Sequence, residues 1–148
     1  MSWFPKKCVV VPIDFSSASD EAIQTALEIT QRPEEVHVVH VVLMPNYIPY
    51  AEEGACAAGP ERWLQLAKTH LDAYLRSRPL FTGVCSKVLE GNAGAGTHIA
   101  KFAAESHADL IVMPSHGYHG VKRLLIGSVT ENVLRHASCE VLVLRRAD

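Results

Sequence analysis

Five short apolar runs alternate with four stretches of helical periodicity along this chain. Cys8-Val9-Val10-Val11-Pro12-Ile13 is continuous, apolar and rich in β-branched residues, as in a parallel strand covered on both faces. After Asp14-Phe15-Ser16-Ser17, the residues Ala22, Ile23, Ala26, Leu27 and Ile29 recur at helical spacing until Arg32-Pro33. Ser17, with Asp20 three residues on, reads as the helix cap. Val36 to Val42 is a second strand. Residues 44–60 hold three prolines and two glycines and read as a long loop. Trp63, Leu66, His70, Leu71, Tyr74 and Leu75 mark a helix that stops before Pro79, and the stripe is assigned to the core. Val84 to Leu89 alternates as a third strand, and Gly91 to Gly96 turns into a helix carrying Ile99, Ala100, Phe102 and Ala103. Asp109 to Met113 is a fourth strand. A loop, a helix from Ser128 to His136 and a strand from Glu140 to Leu144 complete the pattern.

Strict β-α alternation of this kind predicts the α/β class: a doubly wound five-stranded parallel sheet with helices on both faces and right-handed crossovers. With 148 residues, no internal repeat and no low-complexity linker, residues 1–148 read as one domain.

Composition narrows the function. Apolar residues make up 48% and charged residues 20%, with a net charge of −2, so nothing pulls the whole surface towards nucleic acid or anionic lipid. Any polyanion therefore needs a local site. Four scattered cysteines without a C-x-x-C pair read as reduced thiols. Cys8 and Cys139 are expected in the core, and Cys56, in the long loop, is the candidate reactive thiol. The first residues do not pattern as a signal peptide, and no run approaches ~18 apolar residues, so a cytoplasmic protein is expected.

Open sheets bind ligands beyond the carboxyl ends of their strands, where the winding reverses. If the first and fourth strands flank that point, Pro12-Ile13-Asp14 meets the loop from Pro114 to Gly120 and the helix start at Gly127-Ser128. Glycines let the backbone approach a ligand, the helix start favours phosphate, and Asp14 accepts hydrogen bonds from ribose or base. Lys122 and Arg123 add local positive charge. His37 and His40 lie three apart on a strand and point to opposite faces, so they cannot share a metal. His116 and His119 lack neighbouring cysteine or carboxylate ligands. The sequence has no phosphate-binding G-x-x-x-x-G-K-[ST], no G-x-S-x-G elbow and no visible nucleophile–base pair, so binding rather than catalysis is expected.

The segments VVVPIDFSSASDEAI, VHVVHVV, ADLIVMPSHG and LLIGSVTENVLRHASCEVLVLR resemble the universal stress proteins along nearly the whole chain, the last block most specifically. Members that bind ATP share a glycine, two residues, a glycine, nine residues, then glycine and serine or threonine. Gly117, nine residues and Gly127-Ser128 match that spacing. The resemblance implies ATP, with Mg²⁺ on its phosphates, held by Pro12, Asp14, Val41, Met113, Pro114, Ser115, His116, Gly117, Gly127, Ser128, Val129 and Thr130. It also implies a sheet order of 3-2-1-4-5, so that Glu140 to Leu144 ends the sheet. That apolar edge invites a second copy, and a homodimer through it is expected. Nucleotide occupancy would bias the 44–60 loop and so a surface for an unknown protein partner.

Pro114 departs from the pattern, standing where the motif has its first glycine. Proline lacks an N–H and holds φ near about −65°. A lost charge-assisted bond is worth about 1.5–3 kcal/mol, or about 10- to 150-fold in affinity. The alternative is a dimer that works by protein interaction with a disabled cleft. An ATP-pyrophosphatase relative is a weaker third reading, because DFSSASD stands where those enzymes carry a Ser-Gly-Gly-rich loop.

Overall fold

The computed structural model describes residues 3–44, 59–92, 94–115 and 126–145. The strands are β1 (Val9–Pro12), β2 (Val36–Leu43), β3 (Cys85–Gly91), β4 (Leu110–Pro114) and β5 (Glu140–Leu144). Between them run α1 (Ser17–Ile29), α2 (Pro60–Arg76), α3 (Ala95–Glu105) and α4 (Ser128–His136). All pairings are parallel, and the order across the sheet is β3-β2-β1-β4-β5. The chain winds outward from β1 to β3, then restarts beside β1 and winds the other way to β5.

Side-chain alternation sorts the core into two layers. α1 and α2 bring Ile23, Leu71 and Tyr74 onto Val9, Val11, Val36, Val38, Leu110 and Val112. α3 and α4 bring Ile99, Ala103 and Val133 onto Val10, Val39, Ile111 and Met113. Burying each large apolar side chain fully contributes roughly 1.5–3 kcal/mol. β1 reads as an unbroken apolar run because both its faces are covered. α3 and α4 approach closely at Gly96, where an added Cβ would stand 2.6 Å from Asn132 Cβ and 2.8 Å from Val129 O.

Three expectations are corrected. Trp63 and Leu66 are 54% and 55% exposed, so the core stripe of α2 begins only at Leu71. Helical spacing identifies the stripe but not which part of it overlies the sheet. Cys8 and Cys139 are half-buried rather than core. Burial first, then the Asp109 carboxylate, pushes the Cys8 thiol up; burial and Glu140 do the same for Cys139. Finally, α1 starts one residue early: Ser16 holds the cap position and Ser17 is the first helical residue. Asp20 has another use, accepting from Arg78 Nε at 2.7 Å and from the Tyr74 hydroxyl, which ties α1 to the end of α2. Burial, then that carboxylate, pushes the Tyr74 phenol up.

Cys56 and nearly all of the 44–60 segment lie outside the described residues. No helix among the described residues is long and apolar enough to cross a membrane.

Candidate functional site

β1 keeps its partner β2 to the end: Pro12 is level with Val39, and Ile13 N donates to Val39 O at 2.8 Å. Its pairing with β4 covers two rows, Val9–Leu110 and Val10–Ile111. Above those rows the two strands feed connections that wind in opposite directions, which makes the carboxyl edge between them the topological switch point of the sheet, the place where open sheets of this kind bind ligands. Asp14 follows β1 two residues past Pro12, Val41 follows Val39 by two on β2, and Ser115 directly follows β4, so all three lie at the carboxyl edge.

Asp14 is held by a turn of its own making. Its Oδ1 accepts from Ser16 N at 3.0 Å and from Ser19 Oγ at 3.0 Å, while its own N–H donates to Ser19 Oγ at 3.2 Å. The bond to the amide two residues on makes this an Asx turn, and it fixes the carboxylate plane. Phe15, at the centre of the turn, adopts φ of 65°. That left-handed conformation costs a non-glycine residue of order 1–3 kcal/mol. Packing holds it in place. The Phe15 ring stacks on His70 (centroids 4.4 Å apart, planes at 13°), meets His40 at 4.6 Å and takes the edge of Tyr74 at 5.2 Å. His40 Nδ1 lies 2.9 Å from Ile13 O, and since a carbonyl only accepts, Nδ1 carries the hydrogen.

Across the switch point from Asp14 lies the join of β4 to α4. Ser115 N donates to Leu144 O at 2.9 Å, so the backbone at 115 faces β5 and the backbone at 114 faces β1. Pro114 therefore turns its hydrogen-less nitrogen to the β1 side, towards the switch point. The ladder loses nothing, because β1 and β4 have already parted. Gly127 N donates back to Ser115 O at 2.8 Å. Thr130 Oγ1 donates to Pro114 O at 3.0 Å and lies 3.5 Å from Ser115 O. These bonds clasp the first turn of α4 to the end of β4. Gly127 takes the cap position, so Ser128 is not the cap but the first helical residue. First-turn amides have no intrahelical acceptor, and the positive end of α4 lies at the same sheet edge as Asp14.

Of the twelve implied site residues, ten fall at this edge. Pro12, Met113, Ser115 and Thr130 are buried, Asp14, Val41, Pro114 and Gly127 half-buried, and Ser128 and Val129 exposed. His116 and Gly117 lie outside the described residues, as do His119, Lys122 and Arg123. Sequence reasoning missed Phe15 and Ser19, although Asp followed two residues later by Ser is itself an Asx-turn signal. His37 and His40 do project to opposite faces, towards Phe102 and Phe15. Among the described residues no three His, Cys, Asp or Glu side chains are grouped to hold a metal ion.

The fold defines a doubly wound α/β protein with a switch point between β1 and β4. The sequence profile of the universal stress protein family matches residues 6–145. A universal stress protein of Methanocaldococcus jannaschii is 31% identical over 142 residues, which cover 95% of this chain and 82% of that one. The solved universal stress protein of Lactobacillus plantarum matches with a TM-score of 0.69 at 23% identity, covering 95% and 99% of the two chains. One from Arabidopsis thaliana, solved with AMP bound, matches with a TM-score of 0.54 at 18% identity, covering 95% and 92%. The chain belongs to the universal stress protein family.

Proposed function

We propose that this chain is a regulatory, non-catalytic protein that binds ATP with Mg²⁺ in the β1/β4 crevice and works as a homodimer. One observation carries the reading: at the same sheet edge, on the two strands that flank the switch point, stand a carboxylate held in place at Asp14 and a helix start clasped to the end of β4. The two sides are chemically complementary to a nucleotide. Asp14 and the backbone at Val41 suit ribose and base, and the amides opening α4 suit phosphate. The AMP held by the Arabidopsis protein supports an adenylate as the ligand class. Any Mg²⁺ would ride on the phosphates.

Pro114 favours a second reading, an ATP-independent dimer, because its nitrogen faces the crevice and offers no donor. Calorimetric titration of Mg-ATP into the wild type and Pro114→Gly separates the two. Under the first reading the wild type binds, and the variant binds modestly tighter. No heat and no melting shift at millimolar Mg-ATP removes the first reading, and binding that appears only in Pro114→Gly establishes the second.

The dimer rests on β5, which ends the sheet with Val141 to Leu144 half-exposed. Antiparallel pairing of two such edges about a two-fold axis satisfies both. A monomer mass in light scattering at micromolar concentration contradicts it.

A further inference from the structure

We propose that His70, on α2, is a positioning residue for the nucleotide crevice, acting through the strained turn at Phe15. The inference rests on the nucleotide reading and deepens it. It starts from an outlier: Phe15 is left-handed at φ 65°, immediately after the candidate ligand residue Asp14. A β-strand end has no need of such a conformation, and it persists only where the surroundings over-determine it.

Here the surroundings are three aromatic rings from two other elements. His40 of β2 is anchored by its bond to Ile13 O. Tyr74 is anchored by its hydroxyl bond to Asp20 and by the Arg78 guanidinium lying 3.7 Å over its ring. His70 completes the cage by lying nearly parallel to Phe15, at 13° and 4.4 Å. It is the exposed member, and its ring makes no hydrogen bond among the described residues. Its ring therefore serves as a cover over Phe15.

Phe15 sits between Asp14 and the amide of Ser16 that ties Asp14 Oδ1 at 3.0 Å. If Phe15 relaxes to an ordinary negative φ, that amide swings away and the carboxylate loses the bond that sets its plane. The stack on α2 thus reaches Asp14 through one backbone angle, and through it α2 becomes a lever on nucleotide affinity.

The test uses the full chain, with His70→Ala, which removes the stack, and His70→Phe, which keeps a flat ring. Mg-ATP affinity is measured by calorimetry, and exchange of the Ser16 amide is followed by NMR without nucleotide. Expected in His70→Ala are an affinity roughly 2- to 10-fold weaker, the worth of one aromatic pair, and faster Ser16 exchange. His70→Phe restores both to near wild type, a rescue that a generally loosened α2 would not give. Unchanged affinity and exchange in His70→Ala, or a His70→Phe no better than His70→Ala, overturns the inference while leaving the nucleotide reading intact. A wild type that takes up no Mg-ATP instead removes the nucleotide reading and this inference with it.

Discussion

The clasp between β4 and α4 combines a backbone bond, Gly127 N to Ser115 O, with the bond of one hydroxyl, and Thr130→Val removes the hydroxyl with little change in volume. Thr130 is 3% exposed, and its hydroxyl donates to Pro114 O at 3.0 Å. Valine leaves that carbonyl without its donor and buries a methyl group against it. Stranding a buried acceptor costs about 1–3 kcal/mol. For a chain of 148 residues, each kcal/mol lowers the melting temperature by roughly 2–4 °C, so the variant should melt roughly 2–12 °C below wild type. Thermal unfolding followed by circular dichroism reads this directly. The binding effect should exceed what the stability loss alone brings, because the amides opening α4 are aimed by the same bond. Val133→Ala is the control: it opens a cavity on the inner face of α4, where Val133 is fully buried, away from the clasp. It should lower the melting temperature with much less effect on Mg-ATP affinity. A Thr130→Val protein that melts within about 1 °C of wild type would show that the hydroxyl bond does not help to hold the two elements together.

Gly96→Ala tests the close approach of α3 to α4. The new Cβ would stand 2.6 Å from Asn132 Cβ and 2.8 Å from Val129 O, neither of which can rotate away. Overpacking of about 1–3 kcal/mol, nearer the upper figure here, outweighs the ~1 kcal/mol gain in helix propensity; a variant melting at or above wild type contradicts the packing. Asp72 sets an acid limit. Lys68 Nζ donates to its two oxygens at 2.6 and 2.7 Å, and Ser86 Oγ donates at 2.8 Å. The Lys68 bonds, assisted by Ser86 and opposed by burial, hold the Asp72 carboxyl below its ordinary value. A folded value below the unfolded one, about 3.9, means stability present above that pH and lost as pH falls through the lower folded value. Asp72→Asn should therefore flatten the fall in melting temperature between about pH 5 and pH 2, and an unaltered slope in differential scanning fluorimetry refutes this.

Local pattern was enough for the elements themselves. The apolar runs of β1 and β4 are continuous because two helical layers cover them, and α4 and β5 fall where the pattern puts them, at Ser128–His136 and Glu140–Leu144. The strand order is a different matter. Alternation says that the sheet is parallel, but the placing of β4 beside β1 came from family resemblance, since no single segment encodes its neighbour. Trp63 and Leu66 lie on the same helical stripe as Leu71 yet stand in solvent, and Cys8 and Cys139 read as core yet are half-buried.

At the site the division is similar. That Asp14 and the Gly127-Ser128 helix start share one end of the sheet follows from the strand-then-helix order in the sequence, and the missing donor at Pro114 from its residue type set against the family's motif. That this nitrogen faces β1 follows only from the bond of Ser115 to Leu144. The left-handed turn at Phe15 is likewise invisible in the chain, because phenylalanine has no preference for it and the rings that stabilise it come from β2 and α2. Residue types and periodicity settle which bonds a segment makes within itself. Which face is covered, and which strained angle is tolerated, depends on side chains brought together from distant positions, and that is a property of the packed whole.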